Sequence, residues 1–168
     1  MSHARGLSRR LLCLTPLAAT LLLSGCGFTL RGVTPLPPEL YTLILDSARP
    51  DSDFEREVRR ALQTNGVRLV ESGSDYRLVL GNEGISERTL SVNANARSGE
   101  YELALRVEYD LRRAGTVISG PNLLSTTRVY LTDPENAVAK EEEAALIQDE
   151  MRRELAQQLL RQLQSVVL

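Results

Sequence analysis

Residues 100–112 read EYELALRVEYDLR, and this stretch decides the fold. Tyr101, Leu103, Leu105, Val107, Tyr109 and Leu111 alternate with Glu102, Ala104, Arg106, Glu108 and Asp110. Successive side chains of a strand point to opposite faces, so this pattern predicts a strand with one face buried and the other polar. Downstream, Ala114-Gly115 predicts a turn, and Val117 to Leu131 a second strand with a bulge or break at Gly120-Pro121. Upstream, Tyr76 to Leu80 opens a third strand that continues through Ile85 and Leu90 to Val92. The loop from Asn93 to Gly99 reads as an exposed hairpin tip, polar with one cation, Arg97. Connections this short make the three strands antiparallel.

Farther out the periods change. Tyr41 to Asp46 (YTLILD) is a short apolar run bounded by turn residues, so it predicts a buried strand. Asp51 or Ser52 can cap a helix whose apolar stripe is Phe54, Val58, Ala61 and Leu62, ended by Asn65-Gly66. Val67 to Glu71 reads as a short extended piece. After Asp133-Pro134, helical spacing runs from about Ala137 to the end, with Ala144, Ile147, Met151, Leu155, Leu159 and Leu163 on one side. Glu141, Glu142 and Glu143 sit early and Arg152, Arg153 and Arg161 late, as the helix dipole prefers. The expected fold is α/β (α+β). Two helices cover one face of a four-stranded, mainly antiparallel sheet in a two-layer sandwich over residues 41–168.

The start of the chain has a different character. Arg5, Arg9 and Arg10 precede a mostly apolar run from Leu11 to Leu23, and Leu23-Ser24-Gly25-Cys26 follows. The run is too short for a membrane span, which needs roughly 20 residues, and suits a secretory signal core. Small residues before a cysteine let the chain enter a peptidase site and leave the thiol to carry a thioether-linked lipid. Residues 1–25 are therefore expected to be cleaved, with Cys26 as the lipid anchor. Residues 26–40 would form a tether, kept extended by Pro35, Pro37 and Pro38. Gly27 stands where an aspartate would favour inner-membrane retention, which points to the outer membrane.

Cleavage alters the chemistry available. The 168 residues hold 20 basic and 22 acidic side chains. Loss of residues 1–25 removes three arginines and no acid, leaving 17 basic against 22 acidic and taking the net charge from −2 to −5. That balance excludes a protein held to nucleic acid by bulk electrostatics. His3 and Cys13 go too, which leaves no histidine and one cysteine. Histidine metal sites, Ser-His and Cys-His pairs and an intrachain disulfide are excluded with them. The only lysine, Lys140, precedes Glu141 and follows no glycine-rich loop, so it is not part of a phosphate loop. Neither catalysis, a metal nor a cofactor is expected. Tyr101 and Tyr109 follow the buried register of the central strand and read as packing residues.

Several short motifs, in order, carry a resemblance. They are Cys26-Gly27-Phe28-Thr29-Leu30-Arg31-Gly32, Leu45-Asp46-Ser47, the helix end from Arg59 to Gly66, Ser98-Gly99-Glu100-Tyr101, and Asp133-Pro134-Glu135-Asn136-Ala137-Val138-Ala139-Lys140. Behind a lipoprotein box, this chain resembles the LPS-assembly lipoprotein family LptE, although Thr29 replaces the usual histidine. The resemblance covers essentially the whole chain after Gly25. It implies an outer-membrane lipoprotein that plugs the β-barrel LptD, supports its assembly and assists lipopolysaccharide insertion at the cell surface. It also implies two basic contacts for lipopolysaccharide. Lys140 matches the one at the start of the last helix. For the hairpin contact the aligned position is Ala94, and Arg97 lies three residues on. An intramolecular ion pair of Lys140 with neighbouring glutamates is the alternative to a ligand role. Two other functions stay open: a direct lipopolysaccharide-binding or presenting module, and a lipoprotein adaptor of another envelope or secretion complex.

Overall fold

A computed structural model describes residues 36–92, 99–132 and 137–166. The central stretch is a strand, β4 (Gly99–Arg113), between β3 (Tyr76–Val92) and β5 (Thr116–Thr132). Both neighbours are antiparallel to it. The inward set is buried as its spacing predicts: Leu103, Leu105, Val107 and Leu111 are at most 1% exposed. The predicted helices are α1 (Asp53–Thr64) and α2 (Ala137–Gln164). Ser52 is the cap of α1, its Oγ accepting from the Glu55 N–H at 3.2 Å. Gly66 ends the turn after α1 at φ +84°, a conformation that costs glycine nothing. Phe54, Val58 and Leu62 of α1 and Met151, Leu155, Leu159 and Leu163 of α2 enter one core with the inward side of the sheet.

The sheet has five strands, not the expected four, and is mixed. β1 (Thr42–Ser47) runs parallel to β3 and also to β2 (Arg68–Leu69), giving the order β2-β1-β3-β4-β5. β2 falls within the extended piece expected at residues 67–71. It pairs only Thr42 with Arg68 and Leu43 with Leu69, too short a run for any period to announce it. Parallel neighbours need a crossover, and α1 lies between β1 and each strand that joins it. The extended geometry expected for the proline-rich stretch gives way at its end to a 3₁₀ turn, Pro38–Tyr41. Proline is tolerated in the first position of such a turn, and Leu36 and Leu40 are buried there (3% and 0% exposed).

Past Leu80 the sheet narrows. β1 stops where Ser47 pairs with Leu80, so among the described residues the rest of β3 has β4 as its one neighbour. Here β3 carries a bulge between Leu80 and Glu83. Gly120-Pro121 lies in a break of register in β5, as expected, opposite Tyr109–Leu111. Gly120 sits at φ +115°, and a Cβ there would stand 2.9 Å from the Tyr109 carbonyl oxygen. The outward face is polar along β4, with an Arg88–Glu102 ion pair and exposed Arg106 and Glu108. On β5 it departs from that expectation, because Leu123, Val129 and Leu131 are exposed there.

Candidate functional site

Lys140 lies in the first turn of α2. Its Nζ donates to Glu87 Oε1 of β3 at 2.5 Å and stands 3.9 Å from the centroid of the Tyr101 ring of β4. The Tyr130 hydroxyl of β5 donates to the other Glu87 oxygen at 2.8 Å. The Tyr101 and Tyr130 rings are 5.6 Å apart. Four side chains thus tie the start of α2 to all three long strands, at the end of the sheet where Val92 pairs with Gly99. The ion-pair alternative for Lys140 is realised, but with Glu87 and not with its sequence neighbours. Tyr101 packs as expected and also presents its face to a cation, a second role that alternation cannot reveal. Arg97 and Cys26 lie outside the described residues.

Burial alone would raise the Glu87 carboxyl. Hydrogen bonds from Lys140 and Tyr130, with the Lys140 charge, hold it below the usual range. The Tyr130 phenol is pushed up by burial and by its bond to Glu87. A carboxylate depressed in the folded state adds stability above its unfolded pKa, and loses it as pH falls through the lowered folded value. The cluster is therefore intact at neutral pH and opens in acid, below the usual carboxylate range. A double-mutant cycle of Lys140→Met and Glu87→Gln, read by urea denaturation, should give a coupling of about 0.5–1 kcal/mol at neutral pH, as for other partly exposed pairs. The coupling should fade in acid. Zero coupling at pH 7 would mean the pair does not hold the helix.

A second cluster lies closer to the core. Arg152 of α2 is 7% exposed. Its Nε donates to Glu83 of β3 at 2.7 Å and its Nη1 to Asp149 at 2.7 Å, with Asp53 of α1 at 3.8 Å. Glu83 and Glu87 both escaped the sequence reading. Each is a charge in a strand, where the outward face is the default, and the bulge after Leu80 turns both inward. Among the described residues no group of histidine, cysteine, aspartate or glutamate could hold a metal ion. The two clusters cross-brace helix to sheet.

Known proteins supply the remaining comparison. The family model described as lipopolysaccharide-assembly, LptE, matches residues 40–163. The LPS-assembly lipoprotein LptE of Yersinia pestis (strain Pestoides F) is 36% identical over 162 residues, 94% of this chain and 77% of that protein. The crystal structure of rare lipoprotein B from Shewanella oneidensis superposes with a TM-score of 0.65 at 32% identity, covering 72% of this chain and 92% of that one. A minor lipoprotein from Acinetobacter baumannii gives 0.59 at 26% identity, over 78% and 94%. The match spans both helices and all five strands, and this chain belongs to the LptE family of lipopolysaccharide assembly.

Proposed function

We propose that the chain is the lipoprotein partner of an LptD-like outer-membrane β-barrel. In this reading a lipid on Cys26 anchors it to the periplasmic leaflet. The α/β domain fills the lumen of the barrel, supports its assembly and assists the passage of lipopolysaccharide to the cell surface. The observation that carries the reading is the polar outward face of the sheet along β4 and its β3 neighbour. Arg88, Glu102, Arg106, Glu108, Asp110 and Arg112 spread both signs of charge over it. A large barrel has a polar lumen that is an open pore unless something fills it. A sandwich whose outward face is polar along β4 suits that space. No helix among the described residues is long and apolar enough to cross a bilayer.

Direct lipopolysaccharide contact through Lys140 and Arg97 is a second, weaker element of the same proposal. The Lys140 ammonium already has Glu87 as a partner, so an anionic phosphate would have to compete with a carboxylate 2.5 Å away. The chain also carries net negative charge. Both features favour the plug over a high-affinity carrier. Affinity purification of the tagged, full-length chain from detergent-solubilised outer membranes tests the reading. A large β-barrel should co-purify. Recovery without one, or with a different envelope complex, moves the chain to the adaptor alternative.

A further inference from the structure

Among the described residues two ion pairs tie α2 to β3, and they differ in how far water reaches them. The Arg152 and Glu83 side chains are each 9% exposed. Those of Lys140 and Glu87 are 26% and 32% exposed. The turns that carry Lys140 are open too, since no side chain from Val138 to Glu143 is buried. A partly exposed pair contributes little net stability, because each partner regains water when the two separate. The Arg152 pair is a sealed brace, and the Lys140 pair is open to exchange.

The Glu87 carboxylate sits between two donors from different elements. The Lys140 ammonium of α2 meets one oxygen at 2.5 Å and the Tyr130 hydroxyl of β5 the other at 2.8 Å. Tyr130 is 5% exposed, so packing holds its hydroxyl in place. The face of the Tyr101 ring, 3.9 Å from Nζ, keeps the ammonium in position whichever anion it meets. A phosphate monoester offers these donors more charge than a carboxylate, about −1.5 to −2 at neutral pH, and three acceptor oxygens. It can take both donors and leave Glu87 to water. The charge of Glu143 also reaches Tyr130, and a displaced Glu87 stays close by, so an anion held here is readily released. A site that passes a ligand onward has to let it leave.

We propose that Glu87 is an internal stand-in for the anionic ligand of Lys140, and that a phosphate monoester displaces it to be held by Lys140 and Tyr130 together. The inference rests on the contact reading above, in that Lys140 there meets an anionic ligand. It adds Tyr130 as a second ligand-binding residue and Glu87 as the residue that sets the affinity. Removing the Glu87 charge then strengthens binding, whereas removing a residue that merely braces the helix would weaken it or leave it unchanged.

The test measures binding to the full-length chain in detergent. The probes are purified lipopolysaccharide and inorganic phosphate, with phosphatase-treated lipopolysaccharide as the control. Glu87→Gln should bind a phosphate-bearing probe about tenfold more tightly than the wild type, and Lys140→Met beside it should abolish that gain. Tyr130→Phe beside Glu87→Gln should weaken binding about threefold or more. A gain with lipopolysaccharide makes the lipid headgroup the source of the phosphate, and a gain with inorganic phosphate alone makes free phosphate the ligand. One measurement needs no variant. The Glu87 carboxyl, held below the usual range by its two donors, should rise into that range in ¹³C NMR titrations once a probe has taken them. If Lys140→Met changes binding of neither probe, in the wild type or beside Glu87→Gln, the contact reading fails and takes this inference with it. Lys140→Met can instead weaken binding while Glu87→Gln brings no gain, Tyr130→Phe costs nothing, the phosphatase-treated control gains equally, or the Glu87 titration stays unmoved. Any of these makes Glu87 a brace alone, and the contact reading stands.

Discussion

Replacing Arg152 with alanine should lower the unfolding free energy by about 3–5 kcal/mol, the range for breaking one half of a buried ion pair. Arg152 is 7% exposed and the Glu83 side chain 9%. The arginine is the charged partner of that carboxylate, at 2.7 Å through Nε. Its other partners, Asp149 and Asp53, are more than half exposed and can be rehydrated, so the loss is concentrated at Glu83. The guanidinium also shares its charge between α2, β3 and α1, so the truncation loosens a junction of three elements. A paired replacement, Arg152→Met with Glu83→Leu, should recover most of the loss, because it removes both charges and keeps the volume. Urea denaturation at constant m-value measures both. If the single variant unfolds within about 1 kcal/mol of the wild type, Glu83 is better hydrated than its burial indicates.

That junction also marks where the sequence is hard to read. Alternation over residues 100–112 predicts β4 without ambiguity, because nothing interrupts its parity. The same rule carried along β3 fails after Leu80. Tyr76, Leu78 and Leu80 face inward, and after the extra residue of the bulge so do Glu83, Ile85, Glu87 and Thr89. One inserted residue exchanges the two faces; Gly81-Asn82 is the one local signal of it, and a glycine within a strand does not fix which face follows. The partners of Lys140 and Arg152 were therefore out of reach, although both cations could be placed on their helix.

β5 is blurred for another reason. Leu123-Leu124 and Val129-Tyr130-Leu131 are apolar on both faces, so a two-fold period is masked. The helices were easier, since Phe54, Val58 and Leu62, and Met151, Leu155 and Leu159, stand three or four apart with caps or charged ends where capping rules put them.

Leu155→Ala should cost about 2–5 kcal/mol, the span measured for buried Leu→Ala changes. Leu155 is 0% exposed, one turn along α2 from Met151 and from Leu159, both also 0%. Alanine is the better helix former, so propensity works in favour of the variant and the whole loss comes from packing. Leu146→Ala in the same helix is the internal control. Leu146 is 68% exposed, and its removal should change stability by less than about 0.5 kcal/mol. The contrast separates the half of α2 that closes the core from the half that reaches past it over the narrowed sheet. There Lys140 and its partners replace apolar contact. Leu155 and Arg152 share a face of the helix at a spacing of three, so the double variant should depart from the sum of the two singles. Additive losses would mean that the apolar core and the Arg152–Glu83 pair hold α2 independently. Coupled losses would mean that the buried charge keeps its place because Leu155 and its neighbours keep water away from it.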